Sequence, residues 1–530
     1  MNTQYKWLIL LLIFGFIACE SDDDAPTDEE VVITSGEADF SKFVSIGNSL
    51  TAGFTDNALF IAGQENSMPN ILAGQFALAG GGDFIQPLMN DNIGGLLLAG
   101  TQIQGPRLYF YSDPDPAPPS LSGPVPLGVV PPTDLEPEIP TTDITVPVTG
   151  TINNWGVPGA KSFHLVAPGY GDVSGVPAGT ANPYFARIAS GSTSTVLGDA
   201  MGESPTFFSL WIGNNDVLGY ALSGGESDPE MADPITDVAT FTQVYNTLVE
   251  TLTSQGAKGV IFNIPDVTAI AHFTTVPFAP LDPTNPGFGP LIPTLNTQFA
   301  GLNQVFTALG VPERAIEFAV DAASPVVIKD ESLMDLSAQI TGALQANGVD
   351  AGTAAVTGFL YGQARPANEN DLLVLPSSSI IGQVNTDAIG TLMMLGLTQE
   401  QAGQLAVNGV TYPLEDKWVL LPSEQAEIAE ATTAFNAVID AAVQREGLAF
   451  VDANDLLDQV SDGGLQFDDF LIQDDLVFGG LFSLDGVHPT ARGYAFLANE
   501  AARAINTTYG SNLPMVKAAD YPTFYSTMLP

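Results

Sequence analysis

The first block of the chain with a strand's pattern is FVSI, Phe43 to Ile46, an apolar run closed by the polar turn Gly47-Asn48-Ser49. The same alternation of buried run and glycine-bearing turn recurs along the chain. TINNWGVPGAKS, residues 151 to 162, reads as a second strand-to-glycine turn. Thr206 to Ile212 is almost continuously apolar, as in a strand buried on both faces, and ends in GNND. Gly259 to Ile264 is the next strand, ending in PDV, and Leu448 to Val451 a further one, followed by Asp452. Helical periodicity predicts helices around Asn70 to Ala79, over Thr240 to Ser254, over residues 423 to 447 and over Ala491 to Ile505. Strands alternating with helices imply right-handed crossovers and a mostly parallel sheet with helices on both faces. Two stretches break the rhythm. Residues 112 to 150 are proline-rich and predict an extended excursion without regular helix. Residues 273 to 422 open rich in Pro and Gly, then carry Ala-rich helical patches, and predict an inserted, mostly helical cap between a first core segment, 39 to 272, and a second, 423 to 530.

Composition narrows the class. The chain has 530 residues, 45% of them hydrophobic, which suffices for a large core. Its 60 acidic residues against 14 basic ones leave a net charge of -46. Such acidity argues against nucleic acid, whose phosphates need a basic face, and against adsorption to anionic headgroups. It suits solubility outside the cytoplasm, with weak calcium sites among the carboxylates as the alternative.

The N-terminus reads as a targeting segment. Lys6 precedes WLILLLIFGFIA, a 12-residue apolar run too short to span a bilayer but right for a signal peptide. The run ends at Ala18-Cys19, and Cys19 is the only cysteine, so no disulfide forms within the chain. Ala18-Cys19 resembles a bacterial lipoprotein cleavage site, with Phe16 a departure from the usual aliphatic residue. That resemblance implies removal of residues 1 to 18 and lipidation of Cys19. Glu20 to Asp24 (ESDDD) resembles the acidic tag of lipoproteins sent to the outer face of the outer membrane. Residues 19 to 38 are then a solvated tether.

Function in open α/β sheets collects at the carboxyl ends of the strands. The first strand end offers Ser49, the second Gly159, the third Asn215, and SLDGVHPT ahead of the last helix offers Asp485 and His488. A serine hydroxyl is a poor nucleophile until a base takes its proton, and His488 can be that base. Asp485 can hold the imidazole tautomer and stabilise the imidazolium. A developing oxyanion needs donors, which the Gly159 N–H, the Asn215 amide and the Ser49 N–H can supply.

Ile46-Gly47-Asn48-Ser49-Leu50, a block with Gly159, Gly213-Asn214-Asn215-Asp216 and Asp485-Gly486-Val487-His488-Pro489 together resemble the SGNH hydrolases, also called GDSL lipases and esterases. The four blocks stand in family order. The resemblance covers roughly residues 40 to 110, 150 to 272 and 423 to 508. It implies a three-layer α/β/α sandwich on a flavodoxin-like sheet and ester hydrolysis without metal or organic cofactor. In that reading Ser49 is the nucleophile, Asp485 and His488 complete the triad, and Ser49, Gly159 and Asn215 form the oxyanion hole. Asn48 departs from the family's usual Asp, whose place is to support the loop by hydrogen bonds.

Other residues have plainer readings. His164 and His272 sit in apolar surroundings and read as packed or surface histidines, with His272 also a possible substrate contact. Asp266 reads as a turn residue ahead of a substrate contact, Arg107 and Arg365 as partners in ion pairs ahead of ligands for a substrate carboxylate, Trp155 and Trp211 as packing residues, with Trp155 near enough to the oxyanion donors to line the pocket, and Asp452 to Asp475 as a solvated acidic face ahead of a calcium site. The sequence therefore points to a surface-anchored esterase acting on an acylated glycan or lipid. The alternative is a catalytically idle scaffold that binds glycan or lipid. A metal-dependent phosphodiesterase or sulfatase is disfavoured by three scattered histidines and no cysteine ligands.

Overall fold

The structure, a computed structural model, describes residues 32–114, 122–131, 136–226 and 233–529. Residues 1 to 18, read above as a signal peptide, Cys19 and most of the segment read as an acidic tether lie outside the described residues. Among these, no helix is long and apolar enough to cross a membrane.

The fold is mixed α/β around a parallel sheet of five strands: β1 (Phe43–Gly47), β2 (Asn154–Gly156), β3 (Phe207–Trp211), β4 (Lys258–Phe262) and β5 (Ala449–Val451). In space their order is β2-β1-β3-β4-β5, every neighbouring pair parallel. The chain thus runs outward from β1 to β2, then returns to the other side of β1 for β3. Loops leaving β1 and β3 therefore diverge at the carboxyl edge and open a crevice there. Both β1 and β3 are buried along their full length, which is why their sequences are apolar without alternation. Two inward serines on these strands satisfy each other, Ser45 Oγ lying 2.7 Å from Ser209 Oγ.

Capping defines the helices. Ser67 accepts from the Asn70 N–H at the start of the helix Met68–Leu78. Asp237 accepts from Ala239 and Thr240 at the start of Val238–Thr253. The long helix Pro422–Glu446 begins on proline and stops at Gly447, whose φ of 63° suits glycine. Helix Ala491–Tyr509 begins at Thr490 and ends at Gly510. Phe76 and Tyr509 bring helices Met68–Leu78 and Ala491–Tyr509 onto the Phe43–Phe207 side of the sheet. Helices Val238–Thr253 and Pro422–Glu446 meet through the stacked rings of Phe241 and Phe435, 4.1 Å apart.

Several boundaries differ from the sequence reading. The body starts before residue 39: the Glu37 N–H donates to the Tyr509 carbonyl, and Ala38 is buried. The proline-rich region contributes one strand of an antiparallel pair, Leu108–Tyr111 with Gly123–Pro126; prolines at 124 and 126 are tolerated because no further strand among the described residues pairs with Gly123–Pro126. A second hairpin, Leu96–Leu98 with Thr101–Gln104, gave no strong periodic signal. Residues 273 to 422 contain helices including Ile292–Ala308, Ser337–Ala346 and Ala351–Tyr361, together with two short antiparallel pairs, Val327–Lys329 with Ala364–Pro366 and Leu372–Leu373 with Val419–Leu420. They bury an apolar cluster of their own, with Phe299, Phe306, Ile340 and Leu414 at its centre. A separate cluster surrounds the parallel sheet.

Candidate active site

Ser49 follows β1 immediately. Asn48 caps the short helix Ser49–Ala52 by accepting from the Leu50 N–H at 3.0 Å, so the chain turns sharply as the sheet ends. Gly47 cannot carry a side chain, because a Cβ there would lie 2.2 Å from both the Thr51 hydroxyl and the Trp211 carbonyl. The Ser49 Oγ that emerges lies 2.9 Å from Nε2 of His488. Nδ1 of His488 lies 2.9 Å from Oδ2 of Asp485. One continuous chain of hydrogen bonds thus links Ser49 to His488, 439 positions away, and on to Asp485 three residues before it.

The loop holding Asp485 and His488 is clamped by its own backbone. Oδ1 of Asp485 accepts the N–H groups of Val487 at 2.9 Å and His488 at 2.8 Å. Burial works against the Asp485 charge, but the His488 ring and these N–H donors outweigh it and hold the carboxyl down to about 2. Asp485 is therefore an ionised acceptor at neutral pH. The Phe54 ring packs against the imidazole, centroids 4.6 Å apart.

A second support was missed in the sequence. Thr55 and Ala58 exchange backbone hydrogen bonds around Asp56 and Asn57, whose φ angles are 50° and 63°. Asn57 donates its N–H to Oδ2 of Asp485 at 2.8 Å. Asp56 accepts from the Leu484 N–H through Oδ1, and its own N–H donates to the Ser483 hydroxyl. Burial pushes the Asp56 carboxyl up to about 7, the Leu484 N–H opposing and the Asp485 charge adding to it. The available signal was the Asp-Asn pair itself, since these residues tolerate left-handed backbone.

Gly159 and Asn215 approach from the neighbouring loops. Gly159 has a φ of 80°. Asn215 opens the helix Asn215–Leu222 and donates Nδ2 to the Ala160 carbonyl at 2.9 Å, leaving its other amide hydrogen uncommitted by that bond. Asp216 is fully buried and accepts from both the N–H and the hydroxyl of Ser162, at 2.8 and 2.7 Å. These bonds lock the Gly159 loop to the loop after β3. Asn48 joins the same network, its Nδ2 donating to Oδ1 of Asn214 at 3.4 Å. An amide at position 48 therefore serves as both acceptor and donor.

Ser49, Gly159, Asn215, Asp485 and His488 all line one cleft of about 1650 Å³. No family model, curated protein or solved structure matches the chain. The site must be read from its own geometry. The inserted segment forms the far wall of the cleft, with Val276, Leu281, Phe288, Leu291, Leu295 and Ile381 among its apolar lining. A smaller apolar recess of about 80 Å³ reaches Ser49 and His488 from another side, walled by Leu50, Trp211, Val267 and Ile270.

The remaining singled-out residues fall mostly outside the chemistry. His164 stacks on Tyr170 and accepts the Lys161 N–H through Nδ1. His272 lines the cleft, yet its ring is buried beside Phe273, and that burial pushes it down to about 4, with the Asp485 charge and backbone opposing. Asp266 caps a short turn by accepting from Thr268. Arg365 is paired with Asp330 and Asp371 at 2.6 Å each. Arg107 departs from the ion-pair reading. It is fully buried, and its guanidinium donates to the carbonyls of Asn92, Leu108 and Ser526. Carbonyls suffice because a guanidinium has five N–H donors to satisfy. Trp155 is buried in the sheet's core cluster, and Trp211 stacks on Phe262.

Proposed function

We propose that this protein is a serine esterase of the SGNH type, hydrolysing carboxylic esters through an acyl-enzyme. The observation that carries this reading is the Ser49–His488–Asp485 chain of two 2.9 Å hydrogen bonds, facing a cleft at the carboxyl edge of the sheet. The β2-β1-β3-β4-β5 order, with helices packed around the sheet, supports the three-layer, flavodoxin-like form of that family.

In this reading Ser49 Oγ attacks the ester carbonyl while its proton passes to His488 Nε2. The oxyanion is met by the N–H groups of Ser49 and Gly159 and the amide of Asn215. The bond to the alcohol oxygen breaks as His488 returns the proton to it, leaving the acyl group on Ser49. Water then attacks, again giving its proton to His488, and collapse restores the serine and releases the carboxylic acid. Asp485 stays ionised throughout and stabilises the imidazolium. The apolar cleft walls favour a lipid ester over an acylated glycan. Lipidation at Cys19 would hold the enzyme at the outer membrane, facing outward.

The test is hydrolysis of nitrophenyl acetate, butyrate, octanoate and palmitate by the full chain, beside Ser49→Ala. Turnover that depends on Ser49 and favours the longer chains supports a lipid esterase. Turnover confined to acetate favours a deacetylase. No turnover above the Ser49→Ala background on any ester would turn the reading to an idle binding scaffold.

A further inference from the structure

Glu331, Asp416 and Glu424 gather where the inserted segment meets the returning core helix. Glu331 follows the strand Val327–Lys329, Asp416 opens the turn Asp416–Trp418, and Glu424 lies in the first turn of helix Pro422–Glu446. One carboxylate oxygen from each lies within 4.8 Å of the others. Asp416 and Glu424 are 4% and 6% exposed. No lysine or arginine among the described residues is ion-paired with any of the three, and Lys417 pairs with Glu415 instead.

A second observation concerns individual atoms. Oδ1 of Asp416 and Oε2 of Glu331 are sealed from solvent, with no hydrogen-bond donor in reach among the described residues. A buried carboxylate oxygen without a donor is costly unless something positive meets it. The backbone closes tightly around the group. Gly225, at φ 76°, passes so near that a Cβ would lie 2.3 Å from the Glu424 carboxyl carbon, and a Cβ on Gly224 would lie 2.3 Å from the Asp416 carbonyl. Gly224 and Gly225 follow the helix that Asn215 opens.

We propose that Glu331, Asp416 and Glu424 form a calcium site that fastens the inserted wall of the cleft to the core. The donor set is all oxygen, which suits a hard cation and not zinc or copper, whose sites favour histidine and cysteine. Two oxygens on one calcium stand up to about 5 Å apart, since each bond is about 2.3–2.6 Å, whereas bonds of about 2.1 Å to magnesium demand a tighter, octahedral set. Backbone carbonyls and water complete the shell.

The inference is independent of the esterase reading, and its test uses no turnover. The full chain, stripped with chelator, is titrated with calcium chloride by calorimetry, and its thermal unfolding is followed with and without calcium. One saturable site per chain is expected. At a hundredfold excess over the dissociation constant, Tm rises by about 2–3 °C for a chain of 530 residues. Asp416→Asn and Glu331→Gln each abolish the shift, while their Tm in chelator equals or exceeds that of the parent because like charges are removed. A purely structural role for these carboxylates predicts the opposite sign in chelator. Terbium in place of calcium gives a second readout, luminescence sensitised by Trp418 at the end of the Asp416 turn, displaced by calcium. The proposal is overturned if no saturable site appears, if either variant binds calcium as the parent does, or if magnesium binds more tightly than calcium.

Discussion

The backbone N–H of Asn57 donates to Oδ2 of Asp485 across 2.8 Å, joining residues 428 positions apart. The same oxygen faces Nδ1 of His488. The turn that follows β1 thus holds the carboxylate that orients the imidazole, and the serine end of the site fixes the geometry of its acid end.

That turn requires a φ of 63° at Asn57. Valine there would be strained by about 1–3 kcal/mol, and the donor would move. We expect Asn57→Val to lower kcat roughly 10-fold or more with KM little changed, and Asn57→Gly, which accepts the same backbone, to stay near the parent. A change confined to KM in the valine variant would remove Asn57 from a positioning role.

Ser49→Ala and His488→Ala should each reduce turnover by about 10⁴-fold or more without unfolding the chain. Asp485→Asn should cost about 10³–10⁴-fold, strongly but less completely, because the imidazole loses its tautomer partner. Stopped assays with circular dichroism on each variant check both halves of the claim. Parent-like rates in any of the three would break the proposed triad.

Asn215→Ala removes an amide from the edge of the cleft and its bond to Ala160. A lost oxyanion donor should lower kcat by about 10²–10³-fold while KM moves little. A rise in KM alone would make Asn215 a substrate-binding group.

Asp56 gives a pH-dependent prediction. Its carboxyl titrates near 3.8 when unfolded and is pushed up to about 7 in the fold. Between those values the folded chain binds more protons, so this group's contribution to stability declines as pH rises through that window. Asp56→Asn keeps an acceptor for the Leu484 N–H and carries no charge. It should raise Tm by a few degrees at pH 8, with the gain shrinking toward pH 4. A constant difference across that range would contradict the assignment.

Leu291 is 51% exposed and lines the inserted wall of the cleft. Leu291→Asp should lower kcat/KM on nitrophenyl octanoate and palmitate by roughly 10-fold, leaving acetate nearly unchanged. About 1–3 kcal/mol is what one apolar contact in such a pocket discriminates. An equal loss on all chain lengths would detach the wall from acyl recognition.

The local blocks were legible because their causes are local. Phe43 to Ser49 and Phe207 to Asp216 read as strand and turn because a continuous apolar run ends on glycine within a few residues. The long helices were visible through their period and caps, to within two residues at Pro422–Glu446 and four at the end of Ala491–Tyr509. The hairpins between residues 96 and 126 were not, since their short strands are only partly buried and lack alternation.

By itself the sequence determined which side chains stand at strand ends and which segments interrupt the alternation. Only the tertiary structure decided which of them meet. Setting β1 between β2 and β3 is a matter of long-range pairing, and that placement brings the Ser49 loop beside those of Gly159 and Asn215. The contact of Ser49 with His488, 439 positions away, depends on helix Ala491–Tyr509 docking on the sheet. The Asn57 clamp, the carbonyl cage of Arg107 and the meeting of Glu331, Asp416 and Glu424 have no local period to betray them. Each joins segments whose proximity is set by burial of the two apolar clusters, not by the pattern within either segment.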